Sequence, residues 1–534
     1  MPKMIMRQDG GEIVYSSEDW LGGMDTTSTL STRRKLINGL AFADQVDPLR
    51  EPGYISVGPF TTDVTNITAI TAYLRNGVVS GSSAYIISGG TLLHQLTSLT
   101  SGTVTNSGSW PHTMNNAAAW TVPVGDDIAN YYTGTTLRTF FSLSYSEGGT
   151  PKWNVGIYNQ VATTFDDDFM STVPATPLGA SYITDGAGFP HPLVVGDDDV
   201  LYIGDRNFVH AYDGQVGAAG TFTAAVLTLP VGWVITSFAK KKDRKLMISA
   251  YYSPSGSGAS TFNLGSAKSW QWTYLDLDPD FAYDLHDNYV SETFNWNGTI
   301  ACFTTGRKTD SEDGNYKLQA LVGDEFEVLA TYKTGGLPIR GGVDVVEQDI
   351  FWNAGGKLYS YCQVPYSDKW ILNNIYGNGD TTSGMLKLFT QLFTIHFSDG
   401  ASTGAGLRYT QTSQYHLSGQ AWGAVAYPVW PALKRGRLKK VDIDFAAPVS
   451  GGRTFALNTG LDSSSIAISG DIQTVTNPKV EIKDYRNDGT PLGDFSALQC
   501  QLTWGDAGSG ANRQNACPLI DKVTYHFEYT NIDQ

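Results

Sequence analysis

Between residues 55 and 430 one pattern of apolar and polar positions keeps returning: a short apolar strand, a tight polar turn, then a second apolar strand. Ala84-Tyr85-Ile86-Ile87 passes through Ser88-Gly89-Gly90-Thr91 into Leu92-Leu93-His94. Val200-Leu201-Tyr202-Ile203 passes through Gly204-Asp205-Arg206-Asn207 into Phe208-Val209-His210-Ala211-Tyr212. Residues 318–322 turn through Gly323-Asp324-Glu325 into 326–329, and residues 349–352 turn through Asn353-Ala354-Gly355-Gly356 into 357–361. The Gly, Asn and Asp in these turns supply the positive φ that a short hairpin needs. Looser copies start near Phe141, Leu246 and Leu392. Seven anchors, near 84, 141, 200, 246, 318, 350 and 392, are widely scattered in spacing but average about 51 residues per step, close to the roughly 40–50 of a four-stranded propeller blade. The pattern predicts an all-β chain whose residues 55–431 form a β-propeller of about seven irregular blades.

The flanks read differently. Residues 1–54 lack a regular period. Arg33–Phe42 fits one short helix, and Pro48 and Pro52 with Gly53 keep the following stretch extended or turned. A segment this long without a core of its own lies over another surface, so it reads as an N-terminal arm. From 432 to 534, short alternating stretches around Val441–Phe445, Thr454–Leu457, Val480–Ile482, Gln499–Trp504 and Lys522–Tyr529 predict a C-terminal β-sandwich domain.

Composition agrees. Of 534 residues, 16% are charged, 12% are aromatic and 58 are glycine, which suits strands joined by tight turns and argues against disorder. No apolar run reaches the roughly 20 residues of a membrane helix, the first residues lack the apolar core of a secretory signal, and four cysteines make no disulfide framework. These features predict a chain made in a cytosol, with free thiols and no stable membrane insertion. With 36 basic and 52 acidic residues the formal charge is −16, which argues against a general nucleic-acid binder. The bases cluster at Arg33-Arg34-Lys35, at Lys240, Lys241, Lys242, Arg244 and Lys245, and at Lys434, Arg435, Arg437, Lys439 and Lys440. The last two clusters are candidate inter-subunit contacts with acidic neighbours.

Catalytic signatures are missing: no HExxH, nucleophile elbow, dinucleotide fingerprint or P-loop, and the eight histidines are scattered. No catalytic, cofactor or metal residue is assigned, and no cofactor is expected. Asp276, Asp278 and Asp280 alternate like a calcium loop but lack its glycine and closing glutamate. Asp166–Asp168 and Asp197–Asp199 read as polar turns. A propeller glycosidase can draw its two carboxylates from distant blades, and Trp270, Trp272 and Trp296 would then line a groove; as blade core they need no such role.

Three stretches resemble structural proteins of tailed bacteriophages. Trp20-Leu21-Gly22-Gly23-Met24-Asp25 with Asp47-Pro48-Leu49-Arg50-Glu51-Pro52-Gly53-Tyr54 is similar to their leader, the hairpin 199–214 to their blades, and residues 439–529 to the β domain that follows. The resemblance implies a non-enzymatic tail nozzle. It would be a homo-oligomeric ring, usually of six copies, below the portal and adaptor and in contact with tail fibre or spike proteins. Assembled in the host cytoplasm and carried in the virion, it would pass DNA transiently during ejection, which an acidic wall favours because it does not hold phosphates. The alternative is a receptor-binding spike or fibre component, with or without the activity of a glycan-degrading propeller enzyme.

Overall fold

The computed structural model describes most of residues 120–377 and, outside that span, the strands named below with a few adjoining residues. Apart from two short helices, Phe169–Thr172 and Ala180–Asp185, its regular structure is antiparallel β. Two compact units are distinguished: residues 62–356 with 379–409, and residues 1–61 with 357–378 and 410–534.

Seven sheets succeed one another along the chain, six of four strands and the first of five, where His112–Thr113 adds to Leu92–Thr100. They occupy residues 74–106, 120–166, 193–228, 233–284, 289–332 and 343–377, and the seventh joins three strands of 381–415 to Pro59–Asp63. The first strands of blades 1 to 5 pack side by side in order, and the first strand of blade 7, Thr381–Leu388, packs on those of blades 6 and 1. The fold is a seven-bladed β-propeller. A fourth strand taken from far upstream covers an edge of the last blade that would otherwise be unpaired.

Local chemistry sets the hairpins. In blade 5, Trp296 pairs with Thr299 across Asn297-Gly298, both at positive φ. In blade 6, Val346 pairs with Asp349 across Glu347-Gln348, with Glu347 at φ 59°. The first strands also share a defect. Register with the second strand slips once in blades 1, 4, 5 and 7, at residues 75, 236, 291 and 383. Each of these lies five residues before its strand ends, at Ser80, Lys241, Trp296 and Leu388. Blade 2 slips at Asp126. A bulge of this kind bends the strand and re-aims the side chains beside it.

Aromatic side chains fill the spaces between blades. Trp272 is fully buried and meets Tyr202 of the preceding blade edge-to-face at 5.3 Å. Trp352 meets Phe303 of the preceding blade at 5.0 Å. Trp270 and Trp272 belong to one apolar cluster with Ile235, Ile248 and Leu246, so they are core and line no groove. Trp296 donates its Nε1–H to the carbonyl of Gln348, tying blade 5 to blade 6.

The remaining strands form two sheets, the β-sandwich. One orders Gln8–Asp9, Glu12–Glu18, Ile520–Asn531, Lys434–Phe445 and Lys479–Lys483; the other orders Val425–Ala426, Leu498–Gly505, Arg453–Leu461 and Ile468–Val475. Glu12–Glu18 pairs residue by residue with Lys522–Glu528. This part of the expected arm is therefore a sheet strand, because its Ile13, Val14 and Tyr15 supply the apolar positions a ladder rewards. The helix expected over Arg33–Phe42, the stretch Trp20–Asp25, most of Asp47–Tyr54 and the expected seam at 431/432 lie outside the described residues.

Truncating Trp272 to alanine removes an inter-blade anchor with no solvent exposure. A loss of about 3–5 kcal/mol is expected, read as a shift in the urea unfolding midpoint with an unchanged slope.

Candidate functional site: a charged cluster drawn from six blades

Bulged first strands bring polar side chains together that the sequence keeps up to about two hundred residues apart. Arg340, on the segment entering blade 6, reaches blade 2: its Nη1 is 3.4 Å from Asp126 Oδ2 and its Nε is 3.8 Å from Asp127 Oδ2. The same Nε–H donates to the carbonyl of Thr236, at the bulge of blade 4, at 3.1 Å. Asp127 in turn accepts from Asn76 Nδ2 of blade 1 at 2.6 Å, from the Leu193 amide of blade 3 at 2.7 Å and from the Ile128 amide at 2.9 Å. Gly341 follows Arg340 at φ 71°, and a Cβ there would lie 2.1 Å from Asn76 Oδ1. Only glycine fits that crossing. Glu292, beside the blade 5 bulge, accepts a hydrogen bond from the Gly341 amide, while its Oε2 has no hydrogen-bond partner.

The electrostatics follow from burial. Removal from water pushes the Asp127 carboxyl up to about 6 although Arg340 pulls it down. Burial likewise raises Glu292 to about 8, again against Arg340, with Asp127 adding repulsion. For Arg340 burial works against the charged form, yet Asp126, Asp127 and Glu292 outweigh it and its pKa rises. One guanidinium shared among three carboxylates stays charged but does not offset desolvation of each acid. Burial thus favours the protonated form of Glu292 more strongly than that of Asp127.

A second group adjoins the first. His191, fully buried, stacks on Trp153 with ring centroids 3.9 Å apart, and its amide donates to Asp126 Oδ2. Asp205 accepts from Arg206 Nε and Nη2, both at 3.2 Å, and lies 3.5 Å from His210 Nε2. Burial raises the Asp205 carboxyl, but His210, His191 and Arg206 together bring it below its usual value. Along the sequence these histidines belong to no recognisable motif. The topology places both against one aspartate, and only the Gly-Asp-Arg-Asn turn at 204–207 was visible as a local feature.

Five of the ten basic residues singled out as subunit contacts have intrachain partners. Lys240 pairs with Asp197 of blade 3 at 3.4 Å, Lys241 donates to Gln271 Oε1 at 2.6 Å, and Lys245 is 4.0 Å from Asp280. Lys439 pairs with Glu528 at 2.8 Å and Lys440 with Asp442 at 3.3 Å. Arg437 is half-buried on the same strand, and the side chains of Lys434 and Arg435 lie outside the described residues, as does Arg33-Arg34-Lys35. Lys242 and Arg244 form no ion pair among the described residues, and they project from the exposed turn of blade 4.

The alternating carboxylates at 276–280 do not converge. Asp280 accepts from Thr273 and Gln271, whereas Asp276 and Asp278 face solvent. Among the described residues the group of three acids close enough to hold an ion is Asp166–Asp168. There burial and then Asp168 raise the Asp166 carboxyl to about 6. Asp199, at φ 57°, shapes the first turn of blade 3, while Asp198 accepts from Tyr202 at 2.6 Å.

Replacing Arg340 with methionine strands buried carboxylates, so a loss of about 3–5 kcal/mol is expected in urea unfolding. Glu292 has a different signature. A carboxyl raised from 4.5 to about 8 contributes its stability in full below about 4.5 and loses it as pH rises through 8. Glu292→Gln should flatten the decline in thermal midpoint between pH 5 and pH 9, measured by scanning fluorimetry.

The sequence matches no protein-family profile and no curated protein. Among solved structures the chain is similar to the Dos1 propeller, at 11% identity and a TM-score of 0.36, over 66% of this chain and 95% of that one. It is also similar to a glycoside hydrolase family 43 arabinoxylan arabinofuranohydrolase from Bacillus subtilis, at 10% identity and a TM-score of 0.30, over 88% and 98% of the two chains.

Proposed function

We propose that this chain is a passive structural subunit of a short phage tail, a nozzle protein that assembles into a ring of six copies and extends the DNA channel below portal and adaptor. One observation carries the passive part. The charged side chains that meet between the first strands hold blades to one another: Asp127 alone accepts bonds from blades 1, 2 and 3 and faces Arg340. Groups fixed in this way are positioned for rigidity rather than turnover. The tail assignment rests on the leader, blade and C-terminal resemblances, and the net charge of −16 supports a wall that releases DNA.

In a ring, each copy offers one surface to a different surface of the next. Lys242 and Arg244 suit such a contact because their exposed turn leaves their charges uncommitted. Reversing both to glutamate should reduce ring or virion assembly by at least tenfold at unchanged thermal midpoint, read by mass photometry and negative-stain imaging. Lys439 is a poorer probe, since reversing it also breaks the Glu528 pair.

A glycan-degrading spike is the second reading, and Glu292 favours it: a protonated acid beside ionised aspartates has the split of a general acid and its partner. The carboxylates to test are Asp126, Asp127 and Glu292 rather than the dispersed Asp276 and Asp280. The purified chain should release no sugar from host-surface polysaccharide. Release that disappears in folded Glu292→Gln and Asp126→Asn would establish the spike reading in place of the nozzle.

A further inference from the structure

We propose that His191 is an acid-sensitive clasp that holds blade 2 to blade 3 while neutral and loosens their seam when protonated. The geometry is unusual for a histidine. The ring is closed off from solvent, its Nδ1 is 3.8 Å from Asp126 Oδ2 and its Nε2 is 3.9 Å from Asp205 Oδ1, and neither nitrogen makes a hydrogen bond. Those distances are too long for a hydrogen bond. The imidazole behaves instead as a flat ring laid on Trp153 at an interplanar angle of 15°.

The surroundings explain why neither carboxylate closes in. From blade 2, Asp126 Oδ2 already takes the His191 amide and faces Arg340. From blade 3, Asp205 takes two bonds from Arg206 and faces His210. Arg340, from the segment before blade 6, is a further cation near the ring, and Asp127 stands behind it with the Leu193 amide. A proton added to His191 would give the closed-off ring two donors whose nearest acceptors, Asp126 Oδ2 at 3.8 Å and Asp205 Oδ1 at 3.9 Å, stand beyond hydrogen-bond distance. Relief requires the ring to leave Trp153 for Asp126 or Asp205, in competition with Arg340 and Arg206, or the seam to admit water. Burial holds the neutral form, lowering His191 to about 4 against the opposing pull of Asp126 and Asp205.

The sign follows from linkage. A histidine whose folded value lies below its unfolded 6.5 contributes stability that is present above 6.5 and lost as pH falls toward 4. The seam should open first, because Ser142, the His191 carbonyl and the Asp126–His191 amide bond link blades 2 and 3 there. This clasp is a property of the propeller itself and holds whether or not the chain forms a tail ring.

The test uses the full chain at pH 7, 6, 5 and 4.5, with hydrogen exchange corrected for intrinsic rates. Amides of residues 124–131 and 189–195 should lose protection by about tenfold per pH unit below 6, ahead of the strands of blades 4 and 5. Trp153, stacked on the ring, should change its fluorescence over the same range. His191→Phe keeps the stack and cannot take the proton, so its seam should hold protection down to pH 4.5. If that variant does not fold, the wild-type comparison of seam against blades 4 and 5 decides. Uniform acid loosening of all blades, or an unchanged acid response in folded His191→Phe, overturns the clasp.

Discussion

Arg340 is the constraint on which the propeller's interior depends. It arrives on the segment entering blade 6, faces two aspartates of blade 2 and bonds a carbonyl of blade 4. Apolar packing between blades is broad but not directional. A planar guanidinium fixes angles as well as distances, and its partners each tie further blades. Asp127 extends the lock to Asn76 in blade 1 and Leu193 in blade 3. Five of the seven blades are thereby referred to one charged group, with Gly341 required so that the backbone can pass Asn76.

The recurrent bulge makes this arrangement possible. A regular strand alternates its side chains and would send neighbouring polar residues to opposite faces. The slips at Asp126, Thr236 and Ser291 break that alternation where polar residues can join the cluster. Blades 1 and 7 carry the same slip at the same distance from their turns, so it belongs to the architecture rather than to one site.

A buried cluster of this kind also sets the chemical character of the molecule. Desolvation favours the protonated form of Glu292 and the neutral form of His191, while Arg340 keeps its carboxylate partners. The interior therefore responds to protons from both sides, through His191 in acid and Glu292 in base. The exposed charge is organised separately. Lys240 and Lys439 pair with acids of their own chain, and Lys242 and Arg244 stand out on a turn.

The sequence by itself determined the strands and their turns, because hairpin chemistry is local. All four clear hairpins, at 84–94, 200–212, 318–329 and 349–361, are antiparallel pairs in the structure, and the five tail segments are sandwich strands. One anchor was misplaced within its blade. Residues 318–322 are the third strand of blade 5, and its second, Thr299–Thr305, escaped notice because Thr-Ile-Ala-Cys-Phe-Thr-Thr carries only a short apolar run. Glu12–Glu18 was missed for a different reason: its partner strand lies five hundred residues away. Arg340 and Asp126 are likewise distant, 214 residues apart, whereas His191 and Asp205 stand close in sequence and meet only through the fold. Their meeting depends on bulges and ring closure, which no local pattern encodes, and only the tertiary structure decided which of 52 acids and 36 bases would be buried together.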